Sequence, residues 1–436
     1  MRSGLGVLLL FGGCGGGHDY HDDCSDADSD GHMDVRCGGD DCDDANAAIH
    51  PLAGDNLRVG DWKLELVDEG GYGAAVVVDV SGVVRASYMA PGTPGRVRYA
   101  TGAPDNWELE DVDAEGDVGT YTAIAVGAGG SVHIVYDIVA PVVGVGHAER
   151  LGDEWIVDRI ERAALAIREP KVAIDSNGTA HITFYETRSA EGGGPHDQQY
   201  LTYRDGSWVD HPAAEGIVGG GSGTIAIDGS DAVHVVFTSG DGLHHAVRTG
   251  ADWSEQTLDA EGIPGGRSAW LAFDDAQLGH VAYERVAGEE SEVVHGTLGS
   301  DTWTTEVVAR GGVRKPTLAL GPGGAPQITY VIEDGWTLER AISESGKWLV
   351  DAIGPSVGAD PPSISMAVDA GAAAHLVIDP GWSDAPRLPY LTNRIVDIDG
   401  IDENCDGIDG IDADGDGHAS APTGGDDPDD GDPSIP

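Results

Sequence analysis

One motif recurs seven times between residues 55 and 394, and it leaves few folds open. Its clearest copy is VAIDSNGTAHITFYE, in which Asp175, Gly178, His181 and Phe184 follow one another at intervals of three. Counterparts begin at Asp79, Gly127, Asp228, Asp274, Gly321 and Asp369, so the period is 46 to 53 residues. Apolar residues alternate on both sides of each tight turn, which is the pattern of a hairpin. A second hairpin follows each first one, as in LTYRDGSWVD, and carries a tryptophan: Trp62, Trp107, Trp155, Trp208, Trp253, Trp303 and Trp348. Seven units of four strands predict an all-β chain folded as a seven-bladed β-propeller, in which radial sheets stack face to face and leave few open edges.

The register of the repeat predicts how the ring closes. Trp62, in DWKLELVD, stands before the first full hairpin, whereas the last unit ends at LPYLTN without a tryptophan strand. An N-terminal strand that completes the last blade accounts for both facts and places residue 55 beside residue 394. A solenoid built from the same units would hold its ends apart and would need polar caps.

The chain carries 76 acidic against 24 basic residues, a formal charge of −52. Nucleic acid is excluded as a partner, because binding phosphates needs a basic surface. The balance suits an extracytoplasmic setting rich in divalent cations. The opening segment agrees with export. MRSGLGVLLLFGGC has one Arg, an apolar run from Leu5 to Phe11, and two glycines before Cys14. This is too short to span a bilayer and resembles a bacterial lipoprotein signal, with residues 1–13 removed and Cys14 lipidated. Phe11 stands where such signals usually have Leu. An ordinary secretory signal is the alternative, and either one takes the mature chain out of the cytoplasm.

Both ends of the mature chain carry one aspartate pattern. Asp26, Asp28 and Asp30 are followed by Gly31 and then by Asp41, Asp43 and Asp44; Asp412, Asp414 and Asp416 are followed by Gly417 and then by Asp427, Asp429 and Asp430. Carboxylates at loop positions one, three and five, with glycine at six for the sharp turn, wrap a calcium ion in oxygen ligands. Neither loop is an EF-hand, since position twelve is Cys37 or Thr423 and not a bidentate Glu; the later aspartates must complete the ligand set. The predicted organisation is a signal peptide over 1–13, Asp-rich segments over 14–54 and 395–436, and the propeller over 55–394.

These segments, Asp26–Pro51 and Asp412–Pro436, resemble the MopE-type metal-binding motif of bacterial surface proteins, which is similar to thrombospondin type 3 and dockerin calcium loops. DGIDENCDG, residues 399–407, looks like the linker between successive copies. The family pattern runs C-G-G-D-C-D-D, and CGGDDCDD here has one extra Asp, while the second copy lacks both cysteines. The resemblance implies Ca²⁺ as the bound ion, with copper as the alternative because His18, His21, His32, His50 and His418 lie in or near the segments. Cys37 and Cys42 correspond to Thr423 and Pro428, so the second copy lost both together. That pairs Cys37 with Cys42 and leaves Cys24 for Cys405, bridges that an exported protein can keep oxidised.

Within the repeat, His133, His181, His234, His280 and His375 hold one position, with Arg85 and Gln327 in the remaining units. Recurrence at a structural position predicts a hydrogen bond repeated in every blade, and the seven tryptophans are read as blade packing. One group departs from the repeat symmetry. Arg168, Arg267 and Arg314 each stand seven residues before their turn motif, with Lys171 and Lys315 close by. That position opens the innermost strand at the mouth of the channel, where a cluster of cations can grip a carboxylate or sulfate. Sialidases also set arginines on a propeller, but their S-x-D-x-G-x-x-W box is absent. No G-x-S-x-G turn, H-E-x-x-H motif or phosphate-binding loop is present either. The expected function is that of a surface interaction module, anchored to the outer membrane or cell surface through its lipid, that binds an anionic glycan or protein; a glycan-acting hydrolase or lyase at the channel mouth is the alternative.

Overall fold

The computed structural model describes residues 62–393 except 93, 104–105, 128, 153, 188–195, 212–222, 240, 251, 261–268, 288–289, 300–301, 335, 345, 355–362 and 380–387. The terminal aspartates, all five cysteines and Arg267 lie outside the described residues. The described strands form seven antiparallel four-stranded sheets. Their first strands, Tyr72–Val78, Asp117–Val126, Ala166–Ile174, Gly223–Ile227, Ala269–Phe273, Val313–Leu320 and Ser363–Val368, contact one another around a common axis. The molecule is therefore the predicted seven-bladed propeller. Lys63–Asp68 pairs antiparallel with Leu388–Thr392, Lys63 opposite Thr392 and Glu65 opposite Tyr390. The N-terminal strand is thus the outermost strand of blade 7, as its early tryptophan requires.

The turn that opens each repeat explains the spacing of its polar residues. In blade 3 the Asp175 Oδ1 accepts from the backbone N–H groups of Asn177 and Thr179, at 3.0 and 2.7 Å, and so holds the turn between the first two strands. The other oxygen, Oδ2, meets Nε2 of His181 at 3.2 Å. Asp228 with His234 and Asp369 with His375 repeat this pair at 3.4 and 3.1 Å, and Arg85 takes the same place beside Asp79. The fourth turn residue has positive φ in every blade. Gly82, Gly130, Gly178 and Gly324 adopt it freely, while Asp231, Gln277 and Ala372 are held at 62°, 64° and 65°. Left-handed backbone costs a non-glycine residue roughly 1–2 kcal/mol, and glycine returns about 0.4–1 kcal/mol of unfolded-state entropy. Ala372→Gly is therefore expected to stabilise the protein by about 0.5 kcal/mol, read as a higher urea midpoint at unchanged slope. A lower midpoint would mean that the methyl group packs usefully in its turn.

In blade 4 a polar chain runs from the turn outward through the sheet and into the next blade. The Trp303 Nε1–H donates to His245 Nδ1 at 3.2 Å, as does Gln256 at 3.1 Å, which puts the His245 proton on Nε2. That N–H donates to His234 Nδ1 at 2.9 Å, and His234 in turn faces Asp228. In blades 3 and 7 a tyrosine replaces the outer histidine: Tyr200 and Tyr390 donate to His181 and His375, both at 2.5 Å. Every tryptophan of the repeat caps such a third-strand side chain of the preceding blade. Trp107 meets Tyr390, Trp155 meets Tyr99, Trp208 meets His147 and Trp253 meets Tyr200, with ring centroids 5.0, 5.2, 6.1 and 5.4 Å apart. Trp303 and Trp348 meet His245 and His295, and Trp62 lies 4.8 Å from the Arg340 guanidinium. The repeated histidines and tryptophans are thus structural, as their recurrence predicts.

Candidate functional site

The first strands enter the axis from the face that also carries the loops between second and third strands. In blades 1, 2, 3 and 6 the entry is a β-bulge, which re-aims side chains at the rim. Blades 1 and 2 place Gly73 and Gly119 there, with φ of 57° and 79°. Blades 3 and 6 place Glu169 and Lys315 in the same left-handed region, at 49° and 50°. The two sequences match as Arg168-Glu169-Pro170 and Arg314-Lys315-Pro316. Backbone strain of this kind costs roughly 1–3 kcal/mol per residue and concentrates at functional sites.

Carboxylates on second strands secure these entries. Asp137, Glu284 and Asp379 each lie four residues after the repeated His. Asp379 Oδ2 accepts from the Gly73 N–H at 2.8 Å, Glu284 Oε2 from the Lys315 N–H at 3.2 Å, and Asp137 Oδ1 from the Tyr121 N–H at 2.7 Å. Burial raises the Asp137 carboxyl to about 6, opposed by these hydrogen bonds and by the nearby Arg168. Burial also raises Glu284.

Between the entries lies a cavity of about 280 Å³. Its polar lining includes Tyr121, Glu169, Lys171, Lys315 and Asp379, and Trp270 supplies an aromatic plate. Lys171 reaches from blade 3 to Trp270 of blade 5, its Nζ 5.0 Å from the ring centroid. Burial pulls its ammonium below the usual lysine range, and the Glu169 carboxylate offsets part of that. Lys315 Nζ lies 3.4 Å from the Ser363 hydroxyl.

Of the five cations singled out in the sequence, Arg267 lies outside the described residues and the other four divide. Lys171 and Lys315 come together in the cavity, whereas Arg168 and Arg314 are not among its lining residues. Arg314 forms ion pairs with Glu284 and Glu333, and Arg168 Nη1 reaches the Tyr121 hydroxyl at 3.3 Å. Tyr121, Glu169, Trp270 and Asp379 escape a reading of the repeat. Trp270 belongs to none of the seven tryptophan positions, and that irregularity is the signal that could have found it.

No protein-family model and no curated protein sequence matches the chain. Among solved structures, an ulvan lyase described as a new family of polysaccharide lyase is similar over 75% of this chain and 95% of its own, at 12% identity and a TM-score of 0.51. The same kind of lyase bound to -[GlcA(1-4)Rha3S]- covers 74% and 93%, at 13% identity and 0.50. A protein of unknown function from Dyadobacter fermentans is similar over 77% of this chain and 98% of its own, at 8% identity and 0.47. At such identities the likeness is one of fold.

Proposed function

We propose that this protein is an exported, lipid-anchored surface module whose propeller binds an anionic glycan at the channel mouth and whose terminal aspartate loops bind Ca²⁺. The supporting observation for the ligand is the cavity itself, where the ammonium groups of Lys171 and Lys315 stand beside Glu169 and Asp379 and can donate to a carboxylate. The ulvan lyase bound to -[GlcA(1-4)Rha3S]- shares the fold, so a propeller of this kind is compatible with a polysaccharide ligand. A glycan array probed with the intact protein tests the reading. Acidic glycans are expected to be retained and Lys171→Ala with Lys315→Ala to abolish the signal; an array on which only neutral glycans bind contradicts it.

A hydrolase or lyase reading draws on one further feature. Glu169, Asp379 and Tyr121 line the same cavity as the lysines, and groups of these types carry general acid–base catalysis. New chain ends released from an acidic polysaccharide, and lost with Glu169→Gln, support the enzyme; binding without cleavage supports the module.

For the N-terminal loop, the six carboxylates of Asp26, Asp28, Asp30, Asp41, Asp43 and Asp44 repel one another by about 1 kcal/mol per close pair in water, so a cation is needed to order them. The expected dissociation constant for Ca²⁺ is about 10⁻⁴ to 10⁻³ M, as in other extracellular modules. Calorimetry that finds no calcium heat and tight copper binding reverses the choice of metal.

A further inference from the structure

The chain contains four lysines among its 24 basic residues, Lys63, Lys171, Lys315 and Lys347, and two of the four enter one cavity. Arginine makes most of the ion pairs elsewhere in the described blades, among them Arg98 with Asp68, Arg150 with Glu110, Arg285 with Glu292 and Arg340 with Asp351, all within 2.9 Å, and Lys63 pairs with Glu65 at 3.0 Å. Arginine's planar fork suits fixed bidentate pairs, whereas lysine is a compact, rotatable point charge on a flexible stem. The axis thus carries half of the chain's lysines, whose ammonium groups can turn towards a ligand.

The remaining lining sets the charge and shape of the ligand. Glu169 and Asp379 balance the two lysines within the cavity, so its formal charge is close to zero and a multiply charged anion gains little there. A single negative charge on a molecule rich in hydroxyls fits better, because the lysines donate to its carboxylate while the acids accept from its hydroxyls. Trp270 lies beneath the Lys171 ammonium and fixes where that charge stands. The volume of about 280 Å³ lies at the lower end of ligand pockets, suited to one ring and not to a threaded chain. The left-handed Glu169 and Lys315, held where blades 1 and 2 use glycine, fix the two rims of the cavity before any ligand arrives.

We propose that the channel captures a single uronic acid unit, its carboxylate between Lys171 and Lys315 and its hydroxyls on Glu169 and Asp379. This rests on the glycan-binding reading above and names the unit that is read. An incoming carboxylate also favours the charged form of Lys171, which burial disfavours.

Binding of methyl glucuronide, methyl glucoside and a singly sulfated glucoside to the intact protein, followed by calorimetry or ligand-observed NMR, tests it. The glucuronide is expected to bind about tenfold to a hundredfold more tightly than the neutral glucoside, the ratio for one charge-assisted contact. Lys171→Met and Lys315→Met should each collapse that ratio towards one, whereas Arg168→Ala, outside the cavity lining, should preserve it. Equal binding of glucuronide and glucoside by the unaltered protein, or a sulfated sugar bound as tightly as the glucuronide, overturns the proposal but leaves glycan binding standing. Acidic glycans held on an array while no monosaccharide binds also overturn it, since the site then reads a longer segment. No binding in either assay removes both readings. The wild-type comparison decides the matter even if a variant fails to fold.

Discussion

Arg340→Ala is expected to destabilise the propeller by about 3–5 kcal/mol, the cost of removing one partner from a buried ion pair. The Arg340 side chain is 1% exposed. Its Nε and Nη2 grip both oxygens of Asp351 at 3.1 and 2.9 Å, its Nη1 reaches the Gln327 side chain at 3.4 Å, and Trp62 stacks 4.8 Å away. Truncation strands the Asp351 charge in a site 10% open to water and removes the plate beneath the closing strand's tryptophan. Two consequences separate these effects. Arg340→Met together with Asp351→Leu removes both charges and is expected to recover most of the loss, whereas Trp62→Ala in the parent costs roughly 3 kcal/mol or more through lost packing. Chemical denaturation measures all three. A single variant within about 0.5 kcal/mol of the parent would mean that Arg340 and Asp351 are solvated and that blade 6 does not depend on them.

Acid is expected to unfold the propeller well above the range in which carboxylates titrate. Burial lowers His133 to about 4 and both His147 and His245 to about 3, and it lowers His181, His234, His280 and His295 in the same direction. A base whose folded pKa lies below its unfolded value near 6.5 takes up a proton on unfolding. Its contribution is therefore complete above about pH 6.5 and declines as pH falls towards the folded value. At about 1.4 kcal/mol per pKa unit, His133 alone forfeits roughly 3 kcal/mol by pH 4. Asp137, Glu149 and Glu284 act the other way, since a raised carboxyl takes a proton first in the folded state, but they are three groups against seven. Stability between about pH 7 and pH 5 should fall with a slope that corresponds to several protons bound on unfolding. A slope near zero in that interval would mean that the rings are accessible or already charged in the native protein.

How far the residues disclose the structure depends on what repeats. Turn chemistry is local: the Asp that caps its own turn and pairs with the His six residues on can be seen in a single repeat, and seven copies fix the number of blades. Trp62 standing before its hairpin discloses the closure, because a tryptophan strand without a preceding partner must complete a sheet elsewhere. The third-strand row is harder to see. Tyr99, His147, Tyr200, His245, His295 and Arg340 differ in chemistry, and the loops before them differ in length, so their distance from the turn drifts. A regular signal exists nonetheless, since each stands eight residues before the tryptophan of its own blade. The cavity is the least legible part. Its lining comes from six blades, and arginine and lysine look alike in a charge count; only the geometry separates Arg168 and Arg314, outside the lining, from Lys171 and Lys315 within it.

The measurement that bears most directly on the account compares two variants on one acidic glycan selected from the array: Lys171→Ala with Lys315→Ala, and Arg168→Ala with Arg267→Ala and Arg314→Ala. Thermal midpoints are read alongside binding, because Lys171, Lys315, Arg168 and Arg314 each touch a side chain of another blade. The account predicts that the lysine pair loses binding altogether, while the arginine triple retains it with a modest decrease. Binding that survives without the lysines and vanishes without the arginines would contradict it, placing recognition on the rim and leaving the channel as structure alone.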